Sequence, residues 1–297
     1  MGYPISSSPL YELGSKRRLC SLLYIDASDV DRLMSDASYR EWEAESGRLI
    51  EEPVKSLKLV QGRVKELLSR IEHPPWVHSG VRGRSYLGHA EHHSGQRYVC
   101  SMDIDSFFQS TRKEFVFRFF RYVLRQPEDV AWMMSDLVSY KNHLPTGSPS
   151  SQSLAFWSYR SMFESLCEAA MLVGGTLTLY VDDISVSSVA PLPEGLPSEF
   201  ESIMNGYALQ LKESKTSRKG SRKWKVITGV AISPEGDLRV PNRRRARIHE
   251  QVELLKNGKL DRNGLESLVG MLSSARQIEP TFHEAVYQYS RSLMRSS

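Results

Sequence analysis

An acid pair sits in the middle of the strongest strand pattern of this chain: GTLTLYVDDISVSSV, residues 175–189, with Asp182 and Asp183 at its centre. Aspartate is depleted from strand interiors because it packs poorly and is costly to desolvate. The doublet therefore calls for a tight turn at Asp182-Asp183, a divalent cation that neutralises the charge, or both. Taken alone, it is also satisfied by an ordinary hairpin turn with exposed acids. A second strand pattern, YVCSMDIDSFF (98–108), closes on Asp103 and Asp105. A turn that projects both carboxylates toward the end of that strand would let Asp103 complete a three-carboxylate cluster. Hard oxygen ligands of this kind suit Mg²⁺, with Mn²⁺ possible. Two such ions can activate a 3′-hydroxyl and stabilise a leaving pyrophosphate.

The surroundings of these strands read as follows. Residues 1–15 are Ser- and Pro-rich and predict a loosely held arm. Residues 28–72 read as helical, with Leu57, Val60, Val64, Leu67, Leu68 and Ile71 on one buried face. Residues 73–97, rich in Gly, Pro, His and Arg, read as loops around a short element. FVFRFFRYVL (115–124) predicts a buried helix. Residues 144–171 predict a turn feeding a helix, with Pro149 in its first turn and a stripe of Leu154, Tyr159, Met162, Phe163 and Leu166. A loop at 191–198, a helix at 199–213, a hairpin of KVITGVAIS and DLRVP around PEGD, and helix from about 243 onward complete the chain. The order implies an α+β fold with an antiparallel sheet and helices segregated to one side. Regular βαβ winding and the Gly-rich phosphate loops G-x-G-x-x-G and G-x-x-x-x-G-K-[ST] do not occur in the sequence.

The 297 residues include 39 basic and 35 acidic ones, a surplus too small to demand a polyanionic partner. Its distribution says more. KRR (16–18), RKGSRKWK (218–225) and RRRAR (243–247) gather positive charge, which suits phosphate contact or a set of solvated helix ends and loops. Lys223, Lys225, Arg243, Arg244 and Arg245 are the candidate nucleic-acid contacts. Apolar residues at 40% and charged residues at 25% exclude a disordered, collagen-like or coiled-coil chain. No apolar run approaches membrane-helix length, and the start lacks the apolar core of a secretory signal. Cys20, Cys100 and Cys167 are too scattered for a disulfide framework or a zinc cluster. The expectation is a cytoplasmic protein with no membrane partner.

The ordered series MDIDSFF (102–108), LPTGSPSSQ (144–152), LYVDDISVSS (179–188), ESKT (213–216) and KVITGV (225–230) resembles the polymerase motifs of bacterial reverse transcriptases, most closely the retron type and related defence enzymes. The resemblance covers about residues 48–250. It implies a right-hand polymerase: an N-terminal arm and helical extension at 1–47, interleaved fingers and palm at 48–240, and a short helical thumb at 241–297. Residue by residue, Asp103, Asp182 and Asp183 match the metal-binding carboxylates, and the backbone carbonyl of Ile104 would be a further ligand to two Mg²⁺ ions. Phe108 matches the aromatic that blocks a ribose 2′-hydroxyl; its neighbour Phe107 would point to the opposite face of the same strand. Gly147, Ser148 and Pro149 match the turn that cradles template and incoming nucleotide, Gln152 begins its helix, and Lys215 matches the lysine that approaches the triphosphate. Arg84 resembles a fingers arginine that contacts phosphates. Plain alternatives are core packing for Phe108, a surface lysine for Lys215 and a loop salt bridge for Arg84.

The same resemblance implies RNA-directed DNA synthesis from dNTPs on a dedicated non-coding RNA, a DNA product, an effector or toxin protein as possible partner, and a role in defence against phage. Template-independent or protein-primed synthesis, or a non-catalytic RNA- or toxin-binding scaffold, are the other readings. Three departures stand out. Where retron enzymes usually show Asn-Ala-x-x-His, this chain has His89-Ala90-Glu91-His92-His93; Val-Thr-Gly is Ile227-Thr228-Gly229; and the usual Gln before the turn glycine is Thr146. The histidines lack partner cysteines at finger spacing, so zinc is not expected there.

Overall fold

The computed structural model describes residues 2–296. Nine strands run in chain order: β1 (Tyr39–Glu43), β2 (Leu49–Pro53), β3 (Tyr98–Asp103), β4 (Thr176–Tyr180), β5 (Asp183–Ser188), β6 (Ser217–Lys219), β7 (Lys225–Ile227), β8 (Val230–Ile232) and β9 (Leu238–Arg239). They form a β1–β2 hairpin, a four-stranded sheet in the order β4-β5-β3-β6, and a three-stranded sheet β7-β8-β9, with every pairing between these strands antiparallel. The architecture is α+β, as expected.

The central sheet is covered on both faces, so its strands are apolar or small nearly throughout: Val99, Cys100 and Met102 in β3, Leu177 and Leu179 in β4, Ile184, Ser185, Val186 and Ser187 in β5 are all buried. A large core joins this sheet to the helices Lys55–Ser69, Glu128–Val138, Ser151–Ser158, Arg160–Leu172 and Leu196–Asn205. The helix Lys55–Ser69 exists for the reason its spacing gives: Leu57, Val60, Val64, Leu67 and Leu68 fall on one buried face. Leu154, Tyr159, Met162, Phe163 and Leu166 are likewise fully enclosed. A second core gathers Ile227, Val230, Ile232 and Val240 of the small sheet with Ile248, Val252, Leu268, Leu272 and Ala275 of the helices Asn242–Lys256 and Arg262–Ile278.

Five expectations are corrected. The stretch 28–72 is not continuously helical, because Tyr39–Glu43 and Leu49–Pro53 pair as a hairpin whose turn places Gly47 at φ +76°. The N-terminal arm is anchored: Leu10 and Leu13 are buried, and Tyr3 exchanges backbone hydrogen bonds with Arg70 and Glu72. KVITGVAIS is two strands, since Thr228 and Gly229 turn the chain with positive φ, and the PEGD hairpin then joins β8 to β9. Pro149 precedes the helix, which begins at Ser151, and the helix expected over 199–213 is Leu196–Asn205.

Candidate active site

Strand register brings the acids together. β3 and β5 pair so that Asp103 stands opposite Asp183, and β4 and β5 pair so that Tyr180 stands opposite Asp183. The hairpin loop is therefore Val181-Asp182, one residue earlier than the Asp182-Asp183 turn expected from sequence. Asp183 opens β5, and Asp182 sits in the loop. A two-residue loop needs positive φ, and Val181 supplies it at φ +60°, an uncommon state for a β-branched residue. The Val181 N–H donates to Ser79 Oγ at 2.8 Å, and the Ile104 N–H donates to the Asp182 carbonyl at 3.1 Å. The loop is thus pinned from both sides, with the Ile104 side chain in the core.

The cluster is short of positive charge. Burial, then the neighbouring Asp182 and Asp103, push the Asp183 carboxyl up to about 7, and its side chain is hydrogen-bonded to Asp103. Burial and Asp103 raise Asp182 as well. Lys215 answers part of this: its Nζ lies 2.9 and 2.8 Å from the two oxygens of the buried Asp103. The lysine is drawn upward in turn, first by its hydrogen bond to Asp103. A residue that sequence reading did not single out joins in: Arg48, beside the β1–β2 turn, lowers Asp182 electrostatically. Nothing in its exposed, Gly-flanked surroundings would have marked it.

Among the described residues, no three His, Cys, Asp or Glu side chains are gathered so as to hold a metal by themselves. The donor chemistry nevertheless fits Mg²⁺, which typically takes one or two carboxylates and completes its shell with water and substrate phosphate.

The other candidates divide. Phe108 lies in a helical turn, Phe107–Ser110, beyond the strand end, and is partly buried against the core. Phe107 is the core residue, packed on Tyr159 and Phe163. Its inward direction thus comes from the helical turn and owes nothing to strand alternation. Gly147 lies against β2: its N–H donates to the Glu51 carbonyl at 3.0 Å, and a Cβ would come within 2.7 Å of that oxygen. Ser148 Oγ lies 3.0 Å from Ser150 Oγ, Pro149 leads into the helix, and Gln152 packs over Gly80. Arg84 bonds to backbone. Its Nη1 donates to the Pro74 and Val77 carbonyls, at 2.5 Å each, so it organises the 73–77 loop in place of the phosphate contact expected.

The basic candidates divide too. Arg243, Arg244 and Arg245 line a groove of about 1210 Å³ with Trp224, Val226, Arg239 and Arg247, and Lys223 is exposed. Lys225 is a correction. Lys225 is 1% exposed, and burial lowers its pKa; strand alternation turns it inward with Ile227. Arg245 is committed within the protein to Glu279 and the Val240 carbonyl. The histidines have structural partners: His93 lies between Ser187 Oγ (2.6 Å) and Thr178 Oγ1 (2.5 Å), and His89 Nδ1 lies 3.3 Å from Thr228 Oγ1.

No protein-family model matches the chain. Individual proteins do. The Retron Se72 reverse transcriptase of Salmonella heidelberg is 28% identical over 229 residues, 73% of this chain and 60% of that protein. The chain is similar to retron reverse transcriptases. The Retron Ec86 enzyme of Escherichia coli is 26% identical over 244 residues, 82% of this chain and 75% of its own. The Retron Ec83 enzyme, also of Escherichia coli, is 23% identical over 273 residues, with 84% and 85% covered. These relatives are by name reverse transcriptases, and the match spans most of this chain but about three fifths of the Salmonella protein.

Proposed function

We propose that this chain is an RNA-directed DNA polymerase of right-hand shape, with fingers and palm in 48–240 and a helical thumb in 241–297. The observation that carries the reading is the register placing Asp103 against Asp183 with Asp182 in the adjoining loop, in a chain similar to retron reverse transcriptases. Asp103, Asp182 and Asp183 would hold Mg²⁺, with the Ile104 carbonyl as a further ligand. When bound, the ions supply charge stabilisation at phosphoryl oxygens and a more acidic 3′-hydroxyl.

The protein's own groups do the rest. Lys215 leaves Asp103 to meet the triphosphate, and Arg48 adds positive charge from the fingers side. The Gly147–Pro149 turn supports the incoming nucleotide, and the Phe108 ring lies under its sugar. Arg243, Arg244 and Lys223 contact the backbone of a dedicated non-coding RNA and its DNA product. The setting is a cytoplasmic retron-type system in defence against phage, with an effector protein as partner. Among the described residues no helix is long and apolar enough to cross a membrane.

The test is deoxynucleotide incorporation by the purified protein, with and without added RNA template and primer. Asp103→Asn should lower the rate by about 100-fold or more, the scale for losing a charge-stabilising group at a reacting centre. Near-normal turnover in that variant overturns the assignment. Incorporation that ignores the template favours template-independent synthesis.

A further inference from the structure

One buried acid has no part in the chemistry above. The Glu51 side chain is 2% exposed and points from β2 into the loop that precedes the nucleotide turn. Its Oε1 lies 2.8 Å from His143 Nε2, and its Oε2 accepts from the Thr146 N–H at 3.3 Å. Backbone contacts complete the junction. The Glu51 N–H donates to Thr146 Oγ1 and the Thr146 hydroxyl donates to the Leu49 carbonyl, both at 3.0 Å; the Gly147 N–H donates to the Glu51 carbonyl at 3.0 Å. Segments more than ninety residues apart are thereby joined: the β1–β2 hairpin, whose Arg48 lowers Asp182 electrostatically, and the Gly147–Pro149 turn.

Both ring nitrogens of His143 have an acceptor in reach: Nδ1 lies 3.1 Å from the Lys141 carbonyl and Nε2 lies 2.8 Å from Glu51 Oε1. With its hydrogen on Nε2 the neutral ring donates to the Glu51 carboxylate. The groups around the pair offer no substitute. Tyr39 on β1 faces Glu51, Tyr140 lies beside the His143 ring, and Glu41 is engaged by Lys141. Lys58 is paired with Glu52 on the other face of β2, and Arg112 meets His143 through its backbone. Removing the Glu51 carboxylate takes this partner from both the His143 Nε2 and the Thr146 N–H.

We propose that Glu51 is a positioning residue: with His143 and Thr146 it forms a latch that holds the nucleotide turn and the β1–β2 hairpin in register. The proposal rests on the polymerase reading for its kinetic consequence, and on geometry alone for the latch.

The test uses the full-length protein, Glu51→Ala and Glu51→Gln. Amide hydrogen exchange over 144–148, expressed as protection factors, reads the latch without activity. The KM and kcat for dNTP incorporation read its consequence. Glu51→Ala should lose about tenfold in protection and raise KM about tenfold with kcat changed less than about threefold, the pattern of lost ground-state binding. Glu51→Gln should keep protection and KM within about threefold of the wild type, because its amide accepts from the Thr146 N–H and donates to the His143 ring. Wild-type protection and KM in Glu51→Ala, or a loss in Glu51→Gln equal to that in Glu51→Ala, overturns the latch. Should Glu51→Ala not fold, His143→Ala takes its place with the same expected losses, and wild-type protection and KM in it overturn the latch. A wild type that incorporates no nucleotide defeats the polymerase reading, and the protection factors still judge the latch.

Discussion

Asp183→Asn should make the metal-free protein more stable while abolishing its activity, and the gain should depend on pH. The carboxyl is raised from 3.8 to about 7 by burial and by two neighbouring aspartates. The folded state therefore binds this proton more tightly than the unfolded chain. Below about pH 3.8 both states are protonated and the group contributes no difference. As pH rises through the window from 3.8 to about 7 the unfolded chain ionises first, and folding stability falls until the folded carboxyl has ionised too. Three units at about 1.4 kcal/mol each set a ceiling of about 4 kcal/mol. That ceiling is reached only if the asparagine amide replaces the hydrogen bond to Asp103, so about 2 kcal/mol is the expected gain at pH 8. In a chain of this size it amounts to about 4 °C in Tm. Thermal melts of both proteins at pH 5 and pH 8, in chelator and in Mg²⁺, measure it. Without metal, the variant's advantage should be larger at pH 8 than at pH 5. With Mg²⁺ it should shrink, because the cation relieves the wild-type repulsion that the variant lacks. An advantage equal at the two pH values, or a variant less stable at both, refutes the charge-crowding account of this site.

Phe108→Ala should raise ribonucleotide use relative to deoxynucleotide use by about tenfold, worth about 1.4 kcal/mol, read in paired dNTP and rNTP competition; unchanged selectivity makes the ring packing alone. Neutralising Arg243 and Arg244 should reduce the salt dependence of RNA binding by roughly 1.4–1.8 units of slope, at about 0.7–0.9 per phosphate contact. Arg245→Ala should instead lower Tm, since it breaks the contacts to Glu279 and Val240. An unchanged slope in the first variant assigns those arginines to solvent. Lys225→Met should leave RNA affinity unchanged and hold or raise stability, because the Lys223 carbonyl at 3.4 Å and the charge of Glu235 do not offset burial of the ammonium; weaker RNA binding would return Lys225 to the interface.

The acid cluster was legible because aspartate inside a strand violates local preference, and such violations mark sites. The loop position was missed by one residue because Val181 looks like strand and is held in a turn by Ser79, about a hundred residues away. The β1–β2 hairpin was hidden for a similar reason. In YREWE only Tyr39 is partly buried, so no apolar alternation marks it, and its docking depends on Glu51, Gly147 and the stacked rings of Tyr39 and Tyr140. The basic residues show a limit of another kind. Charge reads from sequence but its target does not: Arg84 and Arg245 spend their donors inside the protein. Lys223 is exposed just before β7, whereas Lys225 opens the strand and turns inward with Ile227 between the exposed Trp224 and Val226.

The histidine segment that departs from the usual retron pattern has a physical role in this arrangement. Val181 at positive φ is a strained state, and strain persists only where the surroundings over-determine it. Three supports converge on its hairpin. Ser79 takes the Val181 N–H; the Trp76–His78 strap pairs along the outer edge of β4 through Leu179; and His93 spans β4 and β5 by its contacts with Thr178 and Ser187. Burial holds His93 well below its ordinary pKa, so the ring is neutral, with one donor and one acceptor for two hydroxyls that can serve either way. Four residues earlier, His89 reaches Thr228 at the turn between β7 and β8, while Thr228 donates to the Tyr86 carbonyl. The same short segment therefore ties the aspartate hairpin to the second core. An imidazole Nδ1 stands as far from the backbone as the amide atoms of asparagine. His89 thus contacts Thr228 at a reach that an asparagine side chain also has, and its ring stacks on Tyr180 besides.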